Sequence, residues 1–140
     1  MRNTPPKVNC VSFLITSKDS ILVEKRNLNK ETDPGIISFP GGHVKQGESL
    51  EEACRRVLHE DLRLECESIR LFKAVKHRTP LEIQMVYYYL CENMSGECAG
   101  EEASDVFWLS QNEASRLYYD FEANIVNLLF GKSVKKNLSA

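Results

Sequence analysis

The sequence predicts an α+β fold, with a mixed β-sheet sandwiched between helices. Short β-rich runs lie on both sides of one central amphipathic segment. That segment opens with a Ser-x-x-Glu start signal, and the end of the chain reads as helix. The 140 residues suit one domain, 1–140, around one core, since no repeat, low-complexity tract or linker divides them.

The elements follow in chain order. Residues 8–15, VNCVSFLI, read as a strand; SKDS (17–20) is a turn, and ILVEKR (21–26) is the antiparallel partner. The polar stretch 27–33 leads to the turn signal Pro34-Gly35 and a short strand, IISF. Beyond Gly41-Gly42, Ser49 and Glu52 make a capping box, which predicts a helix from Ser49 to near Leu62. Two β-rich stretches, 64–77 and 81–91, flank Pro80. MSGECAGEEAS is expected to be a loop, and DVFWL (105–109) a strand. Ser110 and Glu113 form a second capping box. FEANIVNLLFG then reads as an amphipathic helix ended by Gly131, with a frayed tail behind it.

Composition narrows the function. A net charge of -2 argues against a broad basic face for a nucleic-acid polymer, though a local Lys/Arg cluster would suffice for a small anion. No run is long and apolar enough to span a bilayer, and MRNTPPKVNCVSFLI lacks a small-residue cleavage site, so it reads as a strand. The five cysteines, Cys10, Cys54, Cys66, Cys91 and Cys98, are odd in number and contain no CxxC pair, which fits reduced thiols in a cytoplasmic protein. No two potential ligands among them and His43, His59 and His77 have finger-like spacing, so a zinc site built from these cysteines and histidines is not expected.

The central helix carries the chemistry. With Leu50 at the top of a helical wheel, Ala53, Cys54, Val57, Leu58 and Leu62 form one apolar arc. Asp61 falls inside that arc and Glu60 at its edge. A carboxylate on a buried face is costly unless paired or bound to a cation. Both groups also lie near the helix C-terminus, where the macrodipole already concentrates negative charge. A bound divalent cation would offset both penalties. Alternatively, the helix frays before Asp61, which then points into water. Upstream, Gly41 and Gly42 allow close backbone approach or positive φ. Such a loop beside a carboxylate-bearing helix suits a metal-bound diphosphate.

The spacing is specific. Gly42, five residues, Glu48, seven residues, Arg56, then Leu58, Glu60 and Asp61 resemble the Nudix box, G-x5-E-x7-R-E-U-x-E-E-x-G-U with U aliphatic. The approach ISFPGGHVKQGESLEEA, the Trp108 strand and the Ser-x-x-Glu segment after it are also similar to small MutT-type Nudix proteins. The resemblance implies an α/β/α sandwich, Mg²⁺ or Mn²⁺ on the box helix, and hydrolysis of a nucleoside diphosphate linked to another moiety. By that resemblance, Glu60 and Asp61 bind the metal, and Glu60 is also catalytic. Glu48 and Arg56 hold the loop against the helix, and Gly41 and Gly42 lie along the substrate. Arg26 resembles a residue that touches substrate phosphate; a solvated strand end explains it equally well. Glu101 and Glu102 occupy the loop where some members carry a further metal-binding or base carboxylate, and Glu102 is the favoured one. His59, opposite the apolar arc, reads as a surface histidine.

The chain departs from the box at three positions. Val57 stands where the box has Glu, Asp61 is one methylene shorter than Glu, and Arg63 replaces a glycine. A nucleotide is the implied partner, with no membrane or nucleic-acid polymer, and a homodimer is compatible with the chain. Modified nucleoside triphosphates and ADP-ribose-like dinucleotides are both open as substrates. Pro80, 16 residues after Leu64, loosely resembles a proline marker of ADP-ribose pyrophosphatases, but a turn explains it equally. One or two rings of Tyr87-Tyr88-Tyr89 could face a base, or simply pack the sheet. Val57 leaves a second class in view, a catalytically weak or inactive Nudix-fold protein that binds a nucleotide in a regulatory role.

Overall fold

Alternation along the first strand sends its side chains into two separate cores, and this divides the molecule into layers. Val11, Phe13 and Ile15 point to one side, Cys10 and Leu14 to the other. The computed structural model describes residues 4–26, 35–96 and 105–139. Its elements are β1 (Lys7–Leu14), β2 (Thr16–Ser17), β3 (Ser20–Lys25), β4 (Ile37–Ser38), β5 (Gly41–His43), α1 (Leu50–Leu62), β6 (Glu65–Arg78), β7 (Ile83–Ser95), β8 (Asp105–Ser110), a 3-10 helix (Gln111–Arg116) and α2 (Asp120–Ser139).

One sheet has the order β5-β1-β7-β6. It is mixed, because β1 runs parallel to β7 and antiparallel to β5. A second sheet is antiparallel: β3 pairs with β2, β4 and β8. The sequence does not announce this division. Ile15 and the Phe39-Pro40 corner link the two sheets: Ile15 accepts from Leu22 N–H at 2.8 Å, and Pro40 accepts from Phe13 N–H at 2.9 Å.

Helix α1 covers one face. Ala53, Cys54, Val57, Leu58 and Leu62 are all buried against Val11, Phe13, Ile15, Tyr89 and Cys91. Ser49 caps it with both halves of the capping box, at 3.0 Å and 2.8 Å. Arg63 ends it in the left-handed region, at φ 59°, so the replaced glycine position keeps a glycine-like exit. Helix α2 covers the other face, where Ile125 and Val126 meet Leu14, Ile21, Val23, Val86 and Tyr88. This is the expected α/β/α layering.

Two helical expectations need correction. The segment after Ser110 is a 3-10 helix kinked at Glu113; Ser110 Oγ accepts from Asn112 N–H at 3.3 Å, and Glu113 turns toward Arg116 at 3.6 Å. Helix α2 does not stop at Gly131 but runs to Ser139. A glycine inside a helix costs only about 1 kcal/mol, so it ends one only where the chain turns left-handed. Among the described residues, no helix is long and apolar enough to cross a membrane. Cys10, Cys54, Cys66 and Cys91 are buried free thiols, and Cys98 lies outside the described residues.

Candidate active site

The loop from β5 to α1 is held by one ion pair. Arg56 grips Glu48 with two bonds, Nε to Oε2 at 2.6 Å and Nη2 to Oε1 at 2.9 Å. The same guanidinium donates to the His43 carbonyl at 2.8 Å, and Lys45 N–H donates to Glu48 Oε1 at 2.9 Å. One arginine thus ties the second turn of α1 to both ends of the 43–48 loop. Its hydrogen bond, with that of Lys45, holds the Glu48 carboxyl down to about 2. A depressed carboxyl contributes stability above its unfolded pKa of 4.5 and loses it as pH falls toward 2. Arg56→Lys keeps the charge and loses the planar fork. It should lower the melting temperature by a few degrees near neutral pH, with the gap closing in strong acid. Equal thermal denaturation curves at neutral pH would show that the fork holds nothing.

Gly41 and Gly42 are needed for close approach, not for positive φ. A Cβ on Gly41 would run into the Val11 carbonyl oxygen, and one on Gly42 would sit 3.1 Å from Val57 Cγ2. Strand β5 is therefore pressed between β1 and α1.

The helix presents its carboxylates differently from the wheel. Asp61 is exposed and still helical, so it neither lies on the buried face nor follows a frayed end. In the last turn only Leu58 and Leu62 remain in the core, and the row begun by Val57 leaves it at Asp61. Glu60 is also exposed, at 57%, with its Oε1 3.9 Å from Arg56 Nη1. His59 is a surface residue, 3.8 Å from Glu65.

On the other side of β5 lies a cleft of about 140 Å³, which Arg26, Gly41, Gly42 and His43 help to line. Arg26 is half-buried there, not a free strand end. Neither Glu60 nor Asp61 is among the lining residues; β5 stands between them and the cleft. Glu101 and Glu102 lie outside the described residues. Pro80 is exposed in the β6–β7 turn, where Thr79 Oγ1 accepts from Glu82 N–H at 3.0 Å.

Sequence reasoning missed the floor and wall of this cleft. The floor is Glu122, 3% exposed; Tyr88 O–H donates to its Oε2 at 2.9 Å and Phe39 N–H to its Oε1 at 3.2 Å. The signal was present, since Glu122 precedes the buried Ile125 and Val126 by three and four positions on α2. The wall is aromatic. His77 meets Tyr119 at 4.6 Å between ring centroids, and Tyr119 stacks on Phe121 at 5.1 Å. Of the three consecutive tyrosines only Tyr88 lines the cleft, and it is 1% exposed. It supports the floor, while Tyr87 and Tyr89 pack toward α1.

Burial pushes the Glu122 carboxyl up to about 8; the bonds from Tyr88 and Phe39 oppose the rise, and Glu24 adds to it. With the folded value above the unfolded 4.5, the group's contribution is full below 4.5 and is lost as pH rises through 8. Glu122→Gln keeps the shape and removes the titration. The variant should match wild type near pH 4 and melt several degrees higher near pH 8. A constant difference across that range, followed by circular dichroism, would contradict the assignment.

The sequence profile of the NUDIX domain matches residues 5–129. The chain belongs to the Nudix family. It is 32% identical over 76 residues to an 8-oxo-dGTP diphosphatase of Haemophilus influenzae, covering 54% of this chain and 56% of that one. It is 30% identical over 111 residues to the NAD-capped RNA hydrolase NudC of Photobacterium profundum, covering 77% and 40%. The match thus spans little more than half of the first relative and less than half of the second. The MutT protein of Methanosarcina mazei superposes with a TM-score of 0.74 at 18% identity, covering 96% of this chain and 99% of that one. The shared fold is therefore that of MutT. Within this Nudix domain the Arg56–Glu48 clamp joins the box loop to the helix, and of the three departures from the box Val57 is the one that is buried. It is 2% exposed and its methyl groups pack on Gly42.

Proposed function

We propose that this Nudix domain is a divalent-cation-dependent pyrophosphohydrolase acting on a nucleoside diphosphate linked to another moiety. The observation that carries the proposal is the exposed pair Glu60 and Asp61, set beside the Arg56–Glu48 clamp and one strand away from a lined cleft. Two carboxylates fit Mg²⁺ (or Mn²⁺), which keeps several waters and takes its remaining ligands from substrate phosphates. When bound, the cation neutralises charge on the diphosphate as the P–O bond breaks.

The chain's own groups supply the rest. Glu60 and Asp61 would hold the cation, and Glu60 would also orient the attacking water. Arg26 takes a phosphate oxygen, and the bare backbone of Gly41 and Gly42 lets the phosphates lie close. The aromatic wall of His77, Tyr119 and Phe121 suits a stacked base. Glu102 is assigned the remaining base or ligand role. The name 8-oxo-dGTP diphosphatase supports modified nucleoside triphosphates as one substrate class, and the name NAD-capped RNA hydrolase supports a diphosphate within an NAD group; ADP-ribose-like dinucleotides are the second class proposed. A second reading rests on Val57: with no carboxylate at that position, the domain binds its nucleotide and hydrolyses it weakly or not at all, as a regulatory protein would.

The test is a nucleotide panel with Mg²⁺, measuring phosphate or pyrophosphate release and binding side by side. Release should fall at least about 10-fold in Glu60→Gln, the scale seen when a metal site is disturbed. Binding without release in wild type would favour the second reading. Release unaffected by Glu60→Gln would remove Glu60 from the site.

A further inference from the structure

Apart from the box carboxylates, three unlike ligands meet at the mouth of the cleft. Cys10 Sγ, His43 Nε2 and a Glu82 carboxylate oxygen lie within 4.8 Å of one another. They come from three separate places in the chain. Cys10 and His43 are direct partners across β1 and β5, so their side chains share a face. Glu82 reaches them from the turn before β7, where Ile83 N–H donates to Pro6 at 2.8 Å and fixes that turn beside β1.

The group is held in place before any ion arrives. Thr79 binds both backbone groups of Glu82, donating to its carbonyl at 2.8 Å and accepting from its N–H at 3.0 Å. Gln84 Nε2 donates to Glu82 Oε1 at 2.7 Å, and His43 Nε2 lies 2.6 Å from the same oxygen. Burial alone would raise the Glu82 carboxyl; the bonds from Gln84 and His43 outweigh it and hold the carboxyl below its usual range. The carboxylate is half-buried beside a buried sulfur, and burial, with the Glu82 charge, pushes the Cys10 thiol up to about 12, so only a bound cation would draw off its proton.

We propose that Cys10, His43 and Glu82 form a second metal site, selective for a borderline-soft divalent ion of the Zn²⁺ class. A thiolate, a carboxylate and a neutral imidazole carry two negative charges and balance the ion. Binding would release the Cys10 proton to solvent, and the proton between His43 Nε2 and Glu82 would pass through solvent to Nδ1, so that the neutral imidazole ligates through Nε2. Thiolate and imidazole disfavour Mg²⁺, so the two sites on this chain take different cations. Three protein ligands leave a fourth position open. Cys10 and His43 both line the cleft, so that position faces it and takes water or an oxygen of a bound anion. The site does not depend on the proposed hydrolysis.

The test is a Co²⁺ titration of the full chain, followed by the thiolate-to-metal charge-transfer band, with Zn²⁺ as competitor. One equivalent should give the band, Zn²⁺ should abolish it, and excess Mg²⁺ should leave it. Cys10→Ser should remove the band. His43→Ala, at a side chain 60% exposed and safe for the fold, should weaken Co²⁺ at least about 10-fold. Glu60→Gln should change neither. No thiolate band in wild type, or a band that survives Cys10→Ser and is unmoved by His43→Ala, overturns the proposal. If Cys10→Ser does not fold, His43→Ala decides alone.

Discussion

Gly41→Ala should be among the most damaging single-methyl additions to this protein. The new Cβ would strike the Val11 carbonyl oxygen and come within 2.9 Å of Ser12 Cα. Both obstacles are backbone, so no rotamer change relieves them. Gly41 pairs with Ser12, and Gly42 and His43 follow in register against Val11 and Cys10. Moving β5 away from β1 also strains the bond from Phe13 N–H to Pro40, at 2.9 Å. Overpacking of this kind costs about 1–3 kcal/mol even where side chains can adjust. We expect a loss at the upper end, a fall in melting temperature on the order of 10 °C. Gly42→Ala should be milder, since the nearest atoms its Cβ would meet belong to the Val57 side chain, Cγ2 at 3.1 Å and Cγ1 at 3.4 Å. Combining it with Val57→Ala should recover part of the loss. A Gly41→Ala protein that melts with wild type would mean β5 does not press on β1 in this way.

Val57→Glu should have a comparable effect, with opposite signs in two measurements. Val57 is 2% exposed and packs on Gly42. A carboxylate there, without a cation, should cost roughly 2 kcal/mol or more, or else take up a proton. It would stand one turn before Asp61 and three residues before Glu60. Adding Mg²⁺ should therefore return much of the lost stability, because a ligand that binds only the folded state shifts the equilibrium toward it. Mg²⁺-dependent hydrolysis should rise if the missing carboxylate is what limits wild type. The measurements are thermal melts with and without Mg²⁺, and the rate on the best substrate of the panel. A stable variant with a slower rate would mean that another carboxylate, with Glu102 first to be mutated, already fills the role.

Local features of the fold were legible because local rules govern them. The capping box at Ser49 and Glu52 marked the helix start, and the wheel named all five buried residues of its arc. Where an expectation rested on one residue without its geometry, it slipped. Gly131 did not stop α2, and Ser110 with Glu113 did not close a box, because a cap needs a backbone conformation that the residue type only permits.

The carboxylate argument shows the same limit within the site. A carboxylate on an apolar face is a sound signal, but it was attached to Asp61, which is exposed, and not to Glu122, which is buried at the floor of the cleft. A wheel gives angles around one helix and says nothing of where that helix leaves the sheet. The box spacing in turn identified Glu48 and Arg56, because residues 48 and 56 meet through a short loop and two helical turns.

By itself the sequence determined the family, the central helix with its cap, and the clamp of Arg56 on Glu48. The family is carried by residue spacing, and the cap and the clamp by contacts between residues close in the chain. Only the tertiary structure decided the cleft, since Phe39, Tyr88 and Glu122 meet across separations of up to 83 residues. Only it placed Cys10, His43 and Glu82 together. Strand register sets such contacts, and a one-residue slip would turn Cys10 or His43 to the opposite face.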